Sequence, residues 1–215
     1  MNNNGLIQRV IQTNEKLYVR EAAKGETPSR KVCGYAILFN TPSGVIGGDD
    51  DCEIREEIAP EAITKKVLDA SDIKLTMFHD RQLILGRSRK GSGTLSYFVD
   101  LKGVRFECEM PKTADGDKAL ELVRRGDIAG CSFAFSTYYY DEKYVQRTTN
   151  IVKGKKVVTY RVKAVTGIYD FTLAADPAYP DTTVQARDQK EQKAVKVIDQ
   201  VREMRAAAKE QIINF

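Results

Sequence analysis

From residue 17 to residue 173 the chain is cut into short apolar runs, most of them bounded by Gly, Asn, Asp or Pro. Val32-Cys33-Gly34-Tyr35-Ala36-Ile37-Leu38-Phe39 stops at Asn40-Thr41-Pro42-Ser43-Gly44. Glu53-Ile54-Arg55-Glu56-Glu57-Ile58, Ile73-Lys74-Leu75-Thr76-Met77-Phe78, Leu83-Ile84-Leu85-Gly86-Arg87, Thr94-Leu95-Ser96-Tyr97-Phe98-Val99 and Val104-Arg105-Phe106-Glu107-Cys108-Glu109-Met110 follow in turn. Runs of this length, bounded by turn formers and rich in β-branched and aromatic residues, read as strands. Short connections between them predict hairpins in a meander, so the dominant arrangement is an antiparallel sheet. Gly91-Ser92-Gly93 is one such turn; no helix or lysine follows where a phosphate cradle would need one.

Helical signals are few. Pro60 suits a first helical position, and Ile63, Val67 and Leu68 follow at helical spacing. Thr113-Ala114-Asp115-Gly116-Asp117 offers N-cap groups for a helix over residues 113–125, with Gly126 beyond its end. Residues 128–138 read as a strand, 141–163 as a charged hairpin turning at Lys153-Gly154-Lys155-Lys156, and 165–173 as a further strand. Asp176-Pro177-Ala178-Tyr179-Pro180-Asp181 is a rigid turn. Residues 44–51 read as a mobile loop; Asp49-Asp50-Asp51 lacks the alternate spacing of a calcium loop. Residues 1–16, polar and rich in Asn and Gln, read as a flexible N-terminal arm. After Arg187 the composition shifts, and residues 188–210 contain no Gly or Pro. Val195, Ile198 and Val201 give that stretch a narrow apolar stripe. The expected organisation is an arm over 1–16, one domain over 17–187 and a charged helical tail over 188–215.

The net charge of +4 comes with no basic stripe interleaved with aromatics, which argues against nucleic acid as a partner. Tyr138-Tyr139-Tyr140 therefore reads as sheet surface or a partner contact. No run approaches the ~20 apolar residues of a membrane span, so no membrane partner is expected, and Met1-Asn2-Asn3-Asn4-Gly5 opens no secretory signal. Cys33, Cys52, Cys108 and Cys131 are scattered with no C-x-x-C pair, the pattern of free cytoplasmic thiols and not of a metal site.

The chain has a single histidine, His79, at the end of the Ile73–Phe78 run. A free imidazole titrates at ~6.5, which makes histidine the usual general base near neutrality. Any Ser–His chemistry in this chain must use His79. A serine in a second strand-like run, Gly130-Cys131-Ser132-Phe133-Ala134-Phe135, is its candidate partner. Neighbours on a strand point to opposite faces, so only one of Cys131 and Ser132 can face a site. Hydrolysis also needs a group to orient the imidazole. Asp170 interrupts the apolar run Ile168-Tyr169-Asp170-Phe171-Thr172-Leu173. It is either that group or a charge on the wet face of the strand. Asp80 is the next candidate.

The segments Gly34-Tyr35-Ala36-Ile37-Leu38-Phe39, Phe78-His79-Asp80, Leu85-Gly86-Arg87, Gly130-Cys131-Ser132-Phe133-Ala134-Phe135 and Asp176-Pro177-Ala178-Tyr179 occur in one order. That ordered set, over roughly residues 17–187, resembles the prohead (capsid maturation) proteases of tailed bacteriophages, which are related in fold to the herpesvirus assemblins. The resemblance implies an α+β fold, a mostly antiparallel β-barrel with flanking helices, herpesvirus-protease-like. It implies a serine endopeptidase with Ser132 as nucleophile, His79 as general base and Asp170 as third member. Many relatives resemble Glu-x-Ser near that third position, and this chain departs from them. Implied oxyanion donors are backbone N–H groups over residues 174–178, with Arg87 a weaker candidate. The implied substrates are the phage major capsid protein and scaffold, together with the protease itself. The implied place is the assembling prohead in the host bacterial cytoplasm. Self-association as a homodimer is implied, and no cofactor. A catalytically inactive capsid assembly or scaffolding protein with the same fold is the alternative.

Overall fold

The structure is a computed structural model that describes residues 6–13, 17–21 and 29–175. Its strands form three sheets. The first runs, in spatial order, β1 (Leu6–Thr13), β11 (Gly130–Tyr138), β14 (Gly167–Ala174), β6 (Asp72–Met77), β7 (Asp80–Arg89) and β8 (Ser92–Gly93). The second runs β2 (Tyr18–Val19), β3 (Lys31–Leu38), β10 (Gly103–Glu109) and β9 (Leu95–Val99). The third runs β12 (Val145–Val152), β13 (Lys155–Val162), β5 (Cys52–Ile58) and β4 (Gly47–Asp49). Helices are α1 (Lys65–Ala70) and α2 (Ala114–Arg125). Neither is long and apolar enough to cross a membrane.

Most pairings are antiparallel, as the hairpin signals predict. β14 with β6 and β13 with β5 are parallel. Those two pairs join strands far apart in sequence, where no turn dictates direction. The expected closed barrel is not what the described residues form. Each sheet ends in two edge strands, β1 and β8 in the first. β8 is two residues long and offers too little ladder to close a ring.

Three local expectations also change. Residues 6–13, inside the expected flexible arm, pair along the whole of β1 with β11, from Leu6 opposite Tyr138 to Thr13 opposite Cys131. Part of the expected 44–51 loop is β4, which turns back onto β5 so that Asp49 faces Cys52. The helix expected from Pro60 is a 3-10 turn, Pro60–Ala62, followed by a break. Ile63 is extended there, and Thr64 then caps α1 by accepting from the Val67 N–H. α2 follows its sequence signals closely: Thr113 accepts from the Gly116 N–H, and Gly126 ends the helix at φ 81°. The predicted turn after residue 175 and the helical tail lie outside the described residues.

The core lies between the first two sheets. Cys131, Phe133 and Phe135 of β11 are fully buried on one face, and Phe171 of β14 meets Phe106 of β10 at 6.2 Å between ring centroids. Tyr139 packs on Tyr160 at 4.9 Å and ties in the third sheet. Tyr138 sets its edge against Tyr144, which leaves Tyr140 the exposed member of the tyrosine run. The two main sheets come close at Gly86, where an added Cβ would stand 2.4 Å from Cys108 Sγ. Gly86→Ala is therefore expected to lower stability by about 1–3 kcal/mol through overpacking. Adding Cys108→Ala should recover part of that loss in urea denaturation; no recovery would mean the cost arises elsewhere.

Candidate active site

The face of the first sheet turned away from the core carries a line of polar side chains. On β11, Cys131, Phe133 and Phe135 point into the core, so Ser132 and Ala134 point the other way. Ser132 stands opposite Thr172 on β14, and Thr172 opposite Thr76 on β6. The next line is Ala134, Asp170 and Lys74.

A β-bulge makes this possible. The β11–β14 register shifts so that Ala134 faces Asp170 while Phe135 faces Ile168, leaving Tyr169 as an extra residue. Ile168, Phe171 and Leu173 are all core residues. In a regular strand Ile168 and Asp170 would share a face. The extra residue reverses the alternation, burying Ile168 and putting Asp170 on the face of Ser132.

His79 is in a turn and not, as the sequence suggested, at the end of the Ile73–Phe78 strand. Met77 pairs with Asp80, and the two residues between, Phe78 and His79, have φ 55° and 57°. Two consecutive positive φ values mark the tight hairpin turn that normally takes Asn-Gly. Bulky residues there cost about 1–2 kcal/mol each. Anchors to β14 hold the turn. The Phe78 N–H donates to Leu173 O at 3.1 Å, and the His79 N–H to Thr172 Oγ1 at 2.8 Å. The Thr76 hydroxyl donates to the same Thr172 oxygen at 2.8 Å.

So held, the imidazole bridges the other two groups. His79 Nδ1 is 3.0 Å from Asp170 Oδ1, and Nε2 is 3.0 Å from Ser132 Oγ. An ionised carboxylate only accepts, so Nδ1 carries the proton and Nε2 is left to accept from the Ser132 hydroxyl. The Asp170 side chain is 8% exposed and that of His79 27%, so the group opens to solvent on the histidine side. The three residues singled out from sequence thus come together.

The other candidates do not join them. Asp80 Oδ1 accepts from the Gln82 N–H at 2.8 Å and caps its own turn. Arg87 binds Asp72 with two nitrogens, at 2.7 and 2.5 Å, and this pairing pulls the Asp72 carboxyl down to about 2. Cys131 lies on the opposite face, where burial pushes its thiol up. Residues 176–178 of the expected oxyanion loop lie outside the described residues. Among the described residues, no group of three or more His, Cys, Asp or Glu is placed to hold a metal ion.

Thr172 and Thr76 were missed by sequence reasoning, because threonine is an ordinary strand former. The available signal was parity: Thr172 is two residues from Asp170 and interrupts the apolar run in the same phase. Thr172→Val should leave the His79 N–H and the Thr76 hydroxyl short of an acceptor, at about 1–3 kcal/mol per unsatisfied group. The expected result is kcat down about tenfold or more with KM held, since the turn that carries the imidazole is loosened. Equal loss in kcat for Thr76→Val and no loss for Thr172→Val would reject this role.

The family model for the caudovirus prohead serine proteases matches residues 15–196. The chain belongs to that family. The match takes in both strands of the serine–aspartate pair and the histidine turn. Among solved structures, that of the bacteriophage T4 capsid assembly protease, gp21, is similar at 10% sequence identity, covering 77% of this chain and 99% of that chain with a TM-score of 0.40. No curated protein matches the chain in sequence.

Proposed function

We propose that this prohead protease family member is an active serine endopeptidase in which Ser132 is the nucleophile, His79 the general base and Asp170 the group that orients it. The observation that carries this reading is the pair of linked hydrogen bonds, Ser132 Oγ to His79 Nε2 and His79 Nδ1 to Asp170 Oδ1. Ser132 Oγ attacks the scissile carbonyl carbon while Nε2 takes the hydroxyl proton. The tetrahedral intermediate collapses, and the leaving amine departs with that proton from the imidazolium. A water then gives its proton to Nε2 as it attacks the acyl-enzyme, and the serine leaves with the proton as the acid product forms. Asp170 keeps Nδ1 protonated throughout and stabilises the imidazolium. The oxyanion falls to backbone N–H groups after β14, by resemblance to the family; Arg87 is already committed to Asp72.

The substrates in this reading are the major capsid protein, the scaffold and the chain itself, inside the assembling prohead. The herpesvirus-protease-like character of the fold, self-association as a dimer, and the division into a protease region over 17–187 and a tail over 188–215 belong to the same reading. An inactive assembly protein would have no use for an imidazole held between a hydroxyl and a buried carboxylate. Incubation of the purified protein with its capsid and scaffold proteins is the test. Fragments are expected with the wild type and none with Ser132→Ala; intact substrates in both would sink the proposal.

A further inference from the structure

The line that holds the nucleophile continues one strand further. Ser132 faces Thr172, Thr172 faces Thr76, and Thr76 faces Ile84 on β7. Residues directly opposite across paired strands share a face, so Ile84 lies on the face of the site. It is 44% exposed. Its neighbour Leu85 is buried in the core, which leaves Ile84 no core role. The register shift in β7 between the partners of Leu75 and Thr76 skips Leu85 and puts Ile84 opposite Thr76.

Phe78 lies in the turn that leads from β6 into β7, the strand that carries Ile84. It precedes His79 in the turn, is 48% exposed, and sits at φ 55°. An exposed aromatic gains little from burial, and its backbone conformation favours Asn or Gly. Strain of this kind is retained where the residue has a task.

We infer that Ile84 and Phe78 form a subsite for an apolar side chain of an extended peptide substrate, on the far side of His79 from Ser132. This rests on the endopeptidase reading above and specifies its selectivity. Neighbouring strands lie about 4.8 Å apart, so Ile84, three strands from Ser132, is roughly 14 Å from the nucleophile. An extended chain advances about 3.3 Å per residue. The apolar residue therefore stands about four positions from the scissile bond. Beyond the threonines the next residue on this line is the apolar Ile84, and Lys74 and Arg87 lie one line further along the strands.

Two readouts keep the subsite and the chemistry apart. Labelling of the wild type by a fluorophosphonate reads the activated Ser132. Binding of fluorescent decapeptide pools to Ser132→Ala, with Leu or Ser fixed at each position in turn, reads the subsite without cleavage. Leu is expected to be preferred at one position by about tenfold or more. Ile84→Ser in the same background should abolish that preference. Phe78→Asn should weaken it while raising Tm, because the strain is relieved. Absence of labelling with the Leu preference intact would overturn the protease chemistry and leave the subsite standing. Labelling with no positional preference, or a preference untouched by both substitutions, would overturn the subsite. So would loss of self-association in Ile84→Ser with peptide selectivity kept, since the patch would then cover a second copy.

Discussion

Ser132→Ala is expected to reduce peptide hydrolysis by about 10⁴- to 10⁶-fold with the fold intact. Among the described residues this hydroxyl is held against the imidazole, while the Cys131 thiol beside it is turned into the core on the other face. Its removal takes away one small group at a site 4% exposed, so circular dichroism and Tm should change little. His79→Ala should cost about as much, and the double substitution scarcely more than either alone, because the two side chains act as one unit. Losses that multiply in the double variant would show that the pair does not work together.

Asp170→Asn comes next, with an expected loss of about 10⁴-fold. An amide nitrogen turned toward Nδ1 would donate, not accept. Nδ1 must then be the acceptor, which moves the proton to Nε2 and leaves no base facing Ser132. The substitution keeps size and burial, so the protein should still fold. Asp80→Asn is the control, because that carboxylate caps its own turn at Gln82 and is expected to leave turnover unchanged. Normal activity in Asp170→Asn would reject the orienting role, and a large loss in Asp80→Asn would shift it there.

Much of this was legible in the sequence because the information is local. Alternation and turn residues give β3, β5 and β10 near their observed limits, and Thr113 with Gly126 bounds α2. A lone histidine leaves no choice of base, and a charged residue inside an apolar run draws attention to Asp170. The ordered motifs carried the family.

What the sequence could not determine is which strands become neighbours and how each alternation is phased. The parallel contacts of β14 with β6 and of β13 with β5 depend on packing between distant segments. So does the end of each sheet at an edge where a closed barrel was expected. The pairing of residues 6–13 with the serine strand likewise has no local marker. Above all, the bulge at Tyr169 decides that Asp170 and Ile168 face opposite ways. A period-two pattern read in isolation would put them on one face. The Phe78–His79 turn defies local preference and is held by Leu173 and Thr172. Residue types and their order therefore determined the chemistry available to this chain. Only long-range packing, which fixes register and can sustain local strain, determined that the three groups meet.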